Sequence, residues 1–80
     1  MSRIAIPKNQ WRDFRRSVSH NIKVARQAKQ ISIEVLAEKT GYAVSTLERF
    51  ENTYAQMRLY DLLHIAIALD VPPETLVANP

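Results

Sequence analysis

Apolar residues in this 80-residue chain recur three and four positions apart, and β-branched residues never alternate with polar ones over a useful length. That period permits helices and no sheet. Trp11, Phe14, Val18, Ile22 and Ala25 predict a first helix over residues 10–29, with Asn9 as its N-cap after Pro7. Ile31 and Ser32 interrupt it. Ser32 is a suitable N-cap for a second helix, with Glu34 in the first turn and Leu36, Ala37 and Thr40 facing inward. That helix is expected to stop at Gly41, the only glycine, where a left-handed residue would close it. A turn at Tyr42-Ala43 leads to a third helix over residues 44–52, with Leu47, Phe50 and Glu51 turned inward. Residues 53–57 lack periodicity and read as a loop. The fourth helix is expected over residues 59–69 with Leu59, Leu62, Leu63, Ala66 and Leu69 as its stripe. Pro72 ends what precedes it, and Pro73 can open a short fifth helix through Val77.

The expected fold is therefore an all-α, five-helix domain over residues 10–80, preceded by a short basic arm at residues 1–9. A chain of this size buries only about 60% of its unfolded surface, so a second subunit would help it. It has no cysteine, which removes disulfides and thiolate metal sites. Its first thirty residues are broken by Arg3, Pro7, Lys8, Arg12, Arg15 and Arg16, leaving no apolar run for a signal peptide or membrane span. A cytoplasmic location is expected. The net charge of +3 is unevenly spread. Residues 1–30 carry eight bases against Asp13, a balance of +7; residues 31–80 carry three bases against seven acids, a balance of −4. A basic segment on a mildly acidic body suits a polyanionic partner, although a solvated helix face gives the same count.

Two short helices joined by a tight turn that opens on a glycine form the skeleton of a helix-turn-helix, here residues 32–52. The small Ala37 lets the second of the pair pass close over the first. On the outer face of that second helix Val44, Ser45, Glu48 and Arg49 stand at i, i+1, i+4 and i+5, one side of the cylinder.

From about Val18 to Leu76 the chain resembles the lambda-repressor/Cro-like (XRE-like) helix-turn-helix family. The resemblance rests on Arg26 in the first helix, "LAEKTG" at 36–41, "STLERFEN" at 45–52 and "LLHIAIALDVPPETL" at 62–76, in order and correctly spaced. It implies a buried ion pair between Arg26 and Glu51 that ties the first helix to the recognition helix. It further implies that Val44, Ser45, Glu48 and Arg49 read bases. Arg49 can take guanine O6 and N7 together, Ser45 can reach an edge or a phosphate, and Val44 suits a thymine methyl. Glu48 could accept from a cytosine amino group, hold Arg49, or repel wrong sites. Phosphate contacts would come from Ser32, Asn52, Gln56 and Arg58, with Arg3, Lys8, Arg12, Arg15 and Arg16 adding an electrostatic track along the arm and first helix.

The chain departs from the family pattern at five positions. Ile33 stands where glutamine grips a phosphate, Ala43 where serine or threonine caps the recognition helix, and Val44 where a polar residue is usual. Thr53 replaces a common glycine and Met57 a common proline. These changes thin the polar contacts at the helix start, which allows a weak or unusual sequence preference or recruits the basic arm to make up affinity. Trp11 and Phe14 are expected to extend the core over the fourth or fifth helix; a dimer contact or a partner groove is the alternative.

His20 and His64 are isolated and expected to be structural or solvated, with no metal site. Tyr54 and Tyr60 could donate to phosphate, but loop packing is the plainer expectation. No nucleophile-base set and no glycine-rich phosphate loop is present, so neither catalysis, a cofactor nor a small-molecule substrate is expected. The expected function is a sequence-specific repressor that binds double-stranded DNA at a palindromic operator as a homodimer. The alternative is a protein-interaction module, antitoxin-like or an adaptor subunit, that would use Val35, Ile67, Val77, Trp11 and Phe14.

Overall fold

The computed structural model describes residues 4–52 and 57–78. Among them the chain forms α1 (Lys8–Ala28), α2 (Ile33–Thr40), α3 (Val44–Asn52), α4 (Leu59–Leu69) and α5 (Pro73–Val77), with no strand. Arg3, Thr53, Tyr54 and Gln56 lie outside the described residues, so the expectations placed on them have no structural counterpart.

Helix α1 starts at Lys8, two residues earlier than expected, and Asn9 is not its N-cap. Pro7, whose φ of −58° is already helical, takes that position, and its carbonyl accepts from the Trp11 amide at 3.0 Å. Lys8 and Asn9 thus belong to the helix rather than to an arm. At the other end Gln30 adopts φ 56°, and the Ile31 amide reaches back to the Arg26 carbonyl at 3.1 Å. The helix is therefore closed by a left-handed residue without the glycine that usually marks one in a sequence.

The core is one cluster. Val18, Ile22 and Ala25 of α1 meet Leu36 of α2, Leu47 and Phe50 of α3, Ile65, Ala66 and Leu69 of α4, and Leu76 of α5. Helix α1 packs on α3 and α5, and α2 packs on α3 and α4. The Asn21 side-chain amide donates to the carbonyls of Leu76 and Ala78 at 3.1 and 2.7 Å, closing the end of α5 against α1.

The stripe of α4 is turned relative to the sequence expectation. Leu59 is 83% and Leu63 46% exposed, while Asp61, Ile65, Ala66 and Leu69 are buried and Leu62 packs beside them. A helix this rich in apolar residues offers two overlapping stripes, and periodicity alone does not choose between them. Asp61 chooses, because its carboxylate is held inward by Tyr42, in the turn before α3.

Candidate nucleic-acid interface

The α2–turn–α3 unit is built by short-range hydrogen bonds. Ser32 Oγ accepts from the Val35 amide at 3.1 Å, capping α2. Thr40 Oγ1 donates to the Leu36 carbonyl at 2.8 Å and accepts from the Tyr42 amide at 3.2 Å, turning the chain out of the helix. Gly41, at φ 79°, donates to the Ala37 carbonyl at 2.8 Å. The Ala43 carbonyl then receives the Thr46 and Leu47 amides, which starts α3 although Ala43 has no side-chain acceptor to cap it.

Two polar clamps fix this unit to the rest of the domain. In the first, Arg26 Nε and Nη2 donate to the two oxygens of Glu51 at 2.8 and 3.0 Å, and Nη1 donates to the Ile31 carbonyl at 2.9 Å. Glu51 is buried and Arg26 nearly so, and their hydrogen bonding raises the Arg26 pKa above the usual arginine value. One side chain thus ties the end of α3 to α1 and to the α1–α2 connection.

The second clamp goes beyond what the sequence predicts. The Tyr42 hydroxyl, in the turn, donates to Asp61 Oδ1 of α4 at 2.6 Å. Asp61 Oδ2 accepts from the Arg58 backbone amide at 3.1 Å and lies 3.5 Å from its guanidinium Nε. The Tyr42 ring sits edge-on to Phe50 and to His64, whose Nδ1 is 3.2 Å from the tyrosine hydroxyl. Burial, followed by the bond to Asp61, pushes the Tyr42 hydroxyl up to about 12. That same bond, ahead of the Arg58 amide, holds the Asp61 carboxyl below its ordinary value. An aspartate three residues after a helix-capping position is a modest sequence signal for an N-terminal bond; nothing local names Tyr42 as its second partner.

Between these clamps the outer face of α3 points away from the core. Ser45, Glu48 and Arg49 are exposed and Val44 is half-buried. The Asn52 side-chain amide donates to the Glu48 carbonyl at 3.0 Å, so it also finishes the helix. Ser32 and Arg58 are exposed at the starts of α2 and α4. Lys8, Arg12 and Arg16 are exposed along the first half of α1, with Arg12 and Asp13 3.8 Å apart in an ion pair too exposed to add much. Arg15 differs: its guanidinium lies 5.7 Å from the centre of the Trp11 ring.

Trp11 and Phe14 stack at 6.0 Å and are 38% and 42% exposed, so they do not complete the core as expected. They instead form one wall of a groove of 290 Å³ whose other lining includes Val18, Met57, Leu59, Leu62 and Val77. Among the described residues no helix is long and apolar enough to cross a membrane, and no group of three or more acidic or histidine side chains is placed to hold a metal ion.

The profile of the Cro/C1-type HTH DNA-binding domain matches residues 21–78. The restriction-modification controller protein C.AhdI from Aeromonas hydrophila is similar in structure, at 29% sequence identity and a TM-score of 0.73, over 78% of this chain and 94% of its own. The hypothetical transcription factor NHTF from Neisseria is similar over 100% of this chain and 90% of its own, at 25% identity and a TM-score of 0.80. No curated protein sequence is significantly similar to the chain.

Proposed function

The chain belongs to the Cro/C1-type helix-turn-helix DNA-binding family and is a DNA-binding transcription regulator, and from that premise we propose that it is a sequence-specific repressor that binds a palindromic operator as a homodimer. The observation that carries this reading is the outer face of α3, kept clear of the core while Arg26–Glu51 and Tyr42–Asp61 fix the helix at both ends. Preorganisation of that kind lets a helix enter the major groove without a further ordering cost.

In this reading Arg49 is the main base reader, Val44 meets a thymine methyl, and Ser45 and Glu48 complete the reading edge. The exposed Ser32, Asn52 and Arg58 are set at helix ends, where phosphates are commonly held, and Gln56 is proposed to join them. Lys8, Arg12 and Arg16, with Arg3, supply sequence-independent attraction, while Arg15 is engaged with Trp11. Support for the homodimer comes from α4, whose exposed Tyr60, Leu63 and Ile67 stand at i, i+3 and i+7. An isologous contact along that stripe would cover it. As a DNA-binding regulator the protein would act in the cytoplasm.

Selecting bound sites from a random DNA pool tests the proposal. The expected product is a pseudo-palindrome with half-sites about 34–36 Å apart, one helical turn. A single asymmetric site, or no enrichment, would overturn the palindromic homodimer. The second reading, a protein-interaction module, draws on the groove beneath Trp11 and Phe14.

A further inference from the structure

We propose that the apolar groove framed by Trp11, Phe14, Leu59, Leu62 and Val77 is a docking site for an acidic amphipathic helix of a second protein. Large apolar side chains of that helix seat on the groove floor, and its carboxylates meet Arg15.

One wall of the groove lies outside the stretch matched to the DNA-binding family, and the other lies within it. Trp11, Phe14, Arg15, Val18 and Ser19 all precede residue 21, where the match to the DNA-binding family begins. Two stacked aromatic rings left more than a third exposed, facing a leucine that is 83% exposed, make a contiguous apolar surface rather than scattered ones.

Its charge selects the occupant. Among the described residues the lining holds two cations, Arg15 and Arg58, and no acid, and Lys8, Arg12 and Arg16 stand along the same half of α1. Arg58 is already paired with Asp61 at 3.5 Å, which leaves Arg15 as the cation for the occupant. The Arg15 guanidinium stands 5.7 Å from the centre of the Trp11 ring on the groove wall, so a carboxylate seated in the groove would meet its charge at short range. A second copy is disfavoured by the same charges, since a two-fold contact brings the patch against itself and gathers both copies of its cations into one interface with no acid of the described lining to meet them. A small molecule is disfavoured by shape. The volume of 290 Å³ is at the low end of ligand sites, and the exposure of Trp11, Phe14 and Leu59 leaves one side open to water. Side chains three and four apart on a helix fit an open apolar trough with a charged rim.

The test is selection of displayed helical peptides, about four turns long and randomised over their surface, on the full-length protein. Enriched peptides should carry Leu, Phe or Trp three or four apart with Asp or Glu beside them. Their binding should shift the emission of Trp11, the only tryptophan, and weaken with added salt. Phe14→Ser and Arg15→Gln should each weaken binding about tenfold. Phe14→Ser should leave the thermal melt and DNA binding close to wild type, and Arg15→Gln removes the charge contact without opening the core. Enrichment of neutral or basic peptides, or acidic peptides indifferent to Arg15→Gln, would overturn the proposal. So would loss of a solution dimer in Phe14→Ser, which would make the occupant a second copy. Saturable binding of dodecanoate with no peptide enriched would make it an acyl anion. None of these outcomes depends on the operator, so the DNA-binding proposal stands or fails separately.

Discussion

Arg26 has five N–H donors and the fold engages three of them, two on Glu51 and one on the Ile31 carbonyl. Removing the carboxylate leaves a guanidinium without its counter-charge in a largely buried site. Glu51→Ala should therefore lower unfolding free energy by about 3–5 kcal/mol, a large part of what a small domain has. Urea melts followed by circular dichroism measure this, and an unchanged midpoint would remove the pair from any structural role. Replacing both partners with apolar residues of similar volume should recover much of the loss, because the desolvation cost of the pair disappears with it. The Tyr42–Asp61 bond makes a different prediction, in pH. The Tyr42 hydroxyl is raised to about 12, so its contribution is complete below pH ~10, the ordinary tyrosine value, and declines as pH rises from there through 12. Asp61 is lowered, so its contribution is complete above pH ~4 and is lost as pH falls through its depressed value. Tyr42→Phe should abolish the alkaline decline and shrink the acid one, since the tyrosine bond is the largest cause of the aspartate shift. Urea midpoints across pH in both proteins check it.

At the scale of elements, three left-handed residues close helices, Gln30, Gly41 and Asp70, and the first two should respond oppositely to substitution. Gly41 has φ 79°, and a Cβ placed there would meet no atom within 4 Å. Gly41→Ala should thus cost only the backbone term, about 1–2 kcal/mol. Gln30 carries that same term already at φ 56°, so Gln30→Gly should stabilise α1, by about 0.5–1 kcal/mol after the extra freedom of glycine in the unfolded chain is set against it. Thermal melts of both variants should move in opposite directions. These two residues also show why some boundaries are legible in the sequence and others are not. Gly41 announces a left-handed cap, and Ser32 announces a helix start, so α2 and α3 fall where those residues place them. Gln30 announces nothing. The inward face of α4 is hidden for a related reason. Leu59 and Leu63 are as apolar as Leu62 and Ile65, and only the pull of Tyr42 on Asp61, a contact between distant elements, decides the rotation. The outer face of α3 is legible because its inward partners, Leu47, Phe50 and Glu51, leave it no other orientation. Trp11 and Phe14 continue the period of α1 past the end of the core, and period alone does not show where a core stops.

For the whole molecule, the separation of charge from the reading edge predicts that affinity and specificity can be removed independently. The basic residues lie along the first half of α1, whereas Arg49 lies on α3, which packs against the other half through Arg26 and Glu51. A phosphate contact releases a counterion whatever the sequence, so each one contributes about 0.9 to the slope of log affinity against log salt. Arg12→Ala and Arg16→Ala should therefore weaken binding to selected and random duplexes alike, and each substitution should flatten that slope by about one. Arg49→Ala should lower affinity for the selected site by about 1–3 kcal/mol and leave random duplex nearly unaffected, apart from the loss of one charge. The dimer is tested in the same titrations with Ile67→Asp, which puts a charge into the exposed stripe of α4 away from both the groove and α3. If that stripe joins two copies, the variant should bind a single half-site as well as wild type while losing the added affinity of the full palindrome. Equal weakening on half-site and palindrome would instead place α4 in the DNA contact, and no weakening on either would move the dimer surface elsewhere on the molecule.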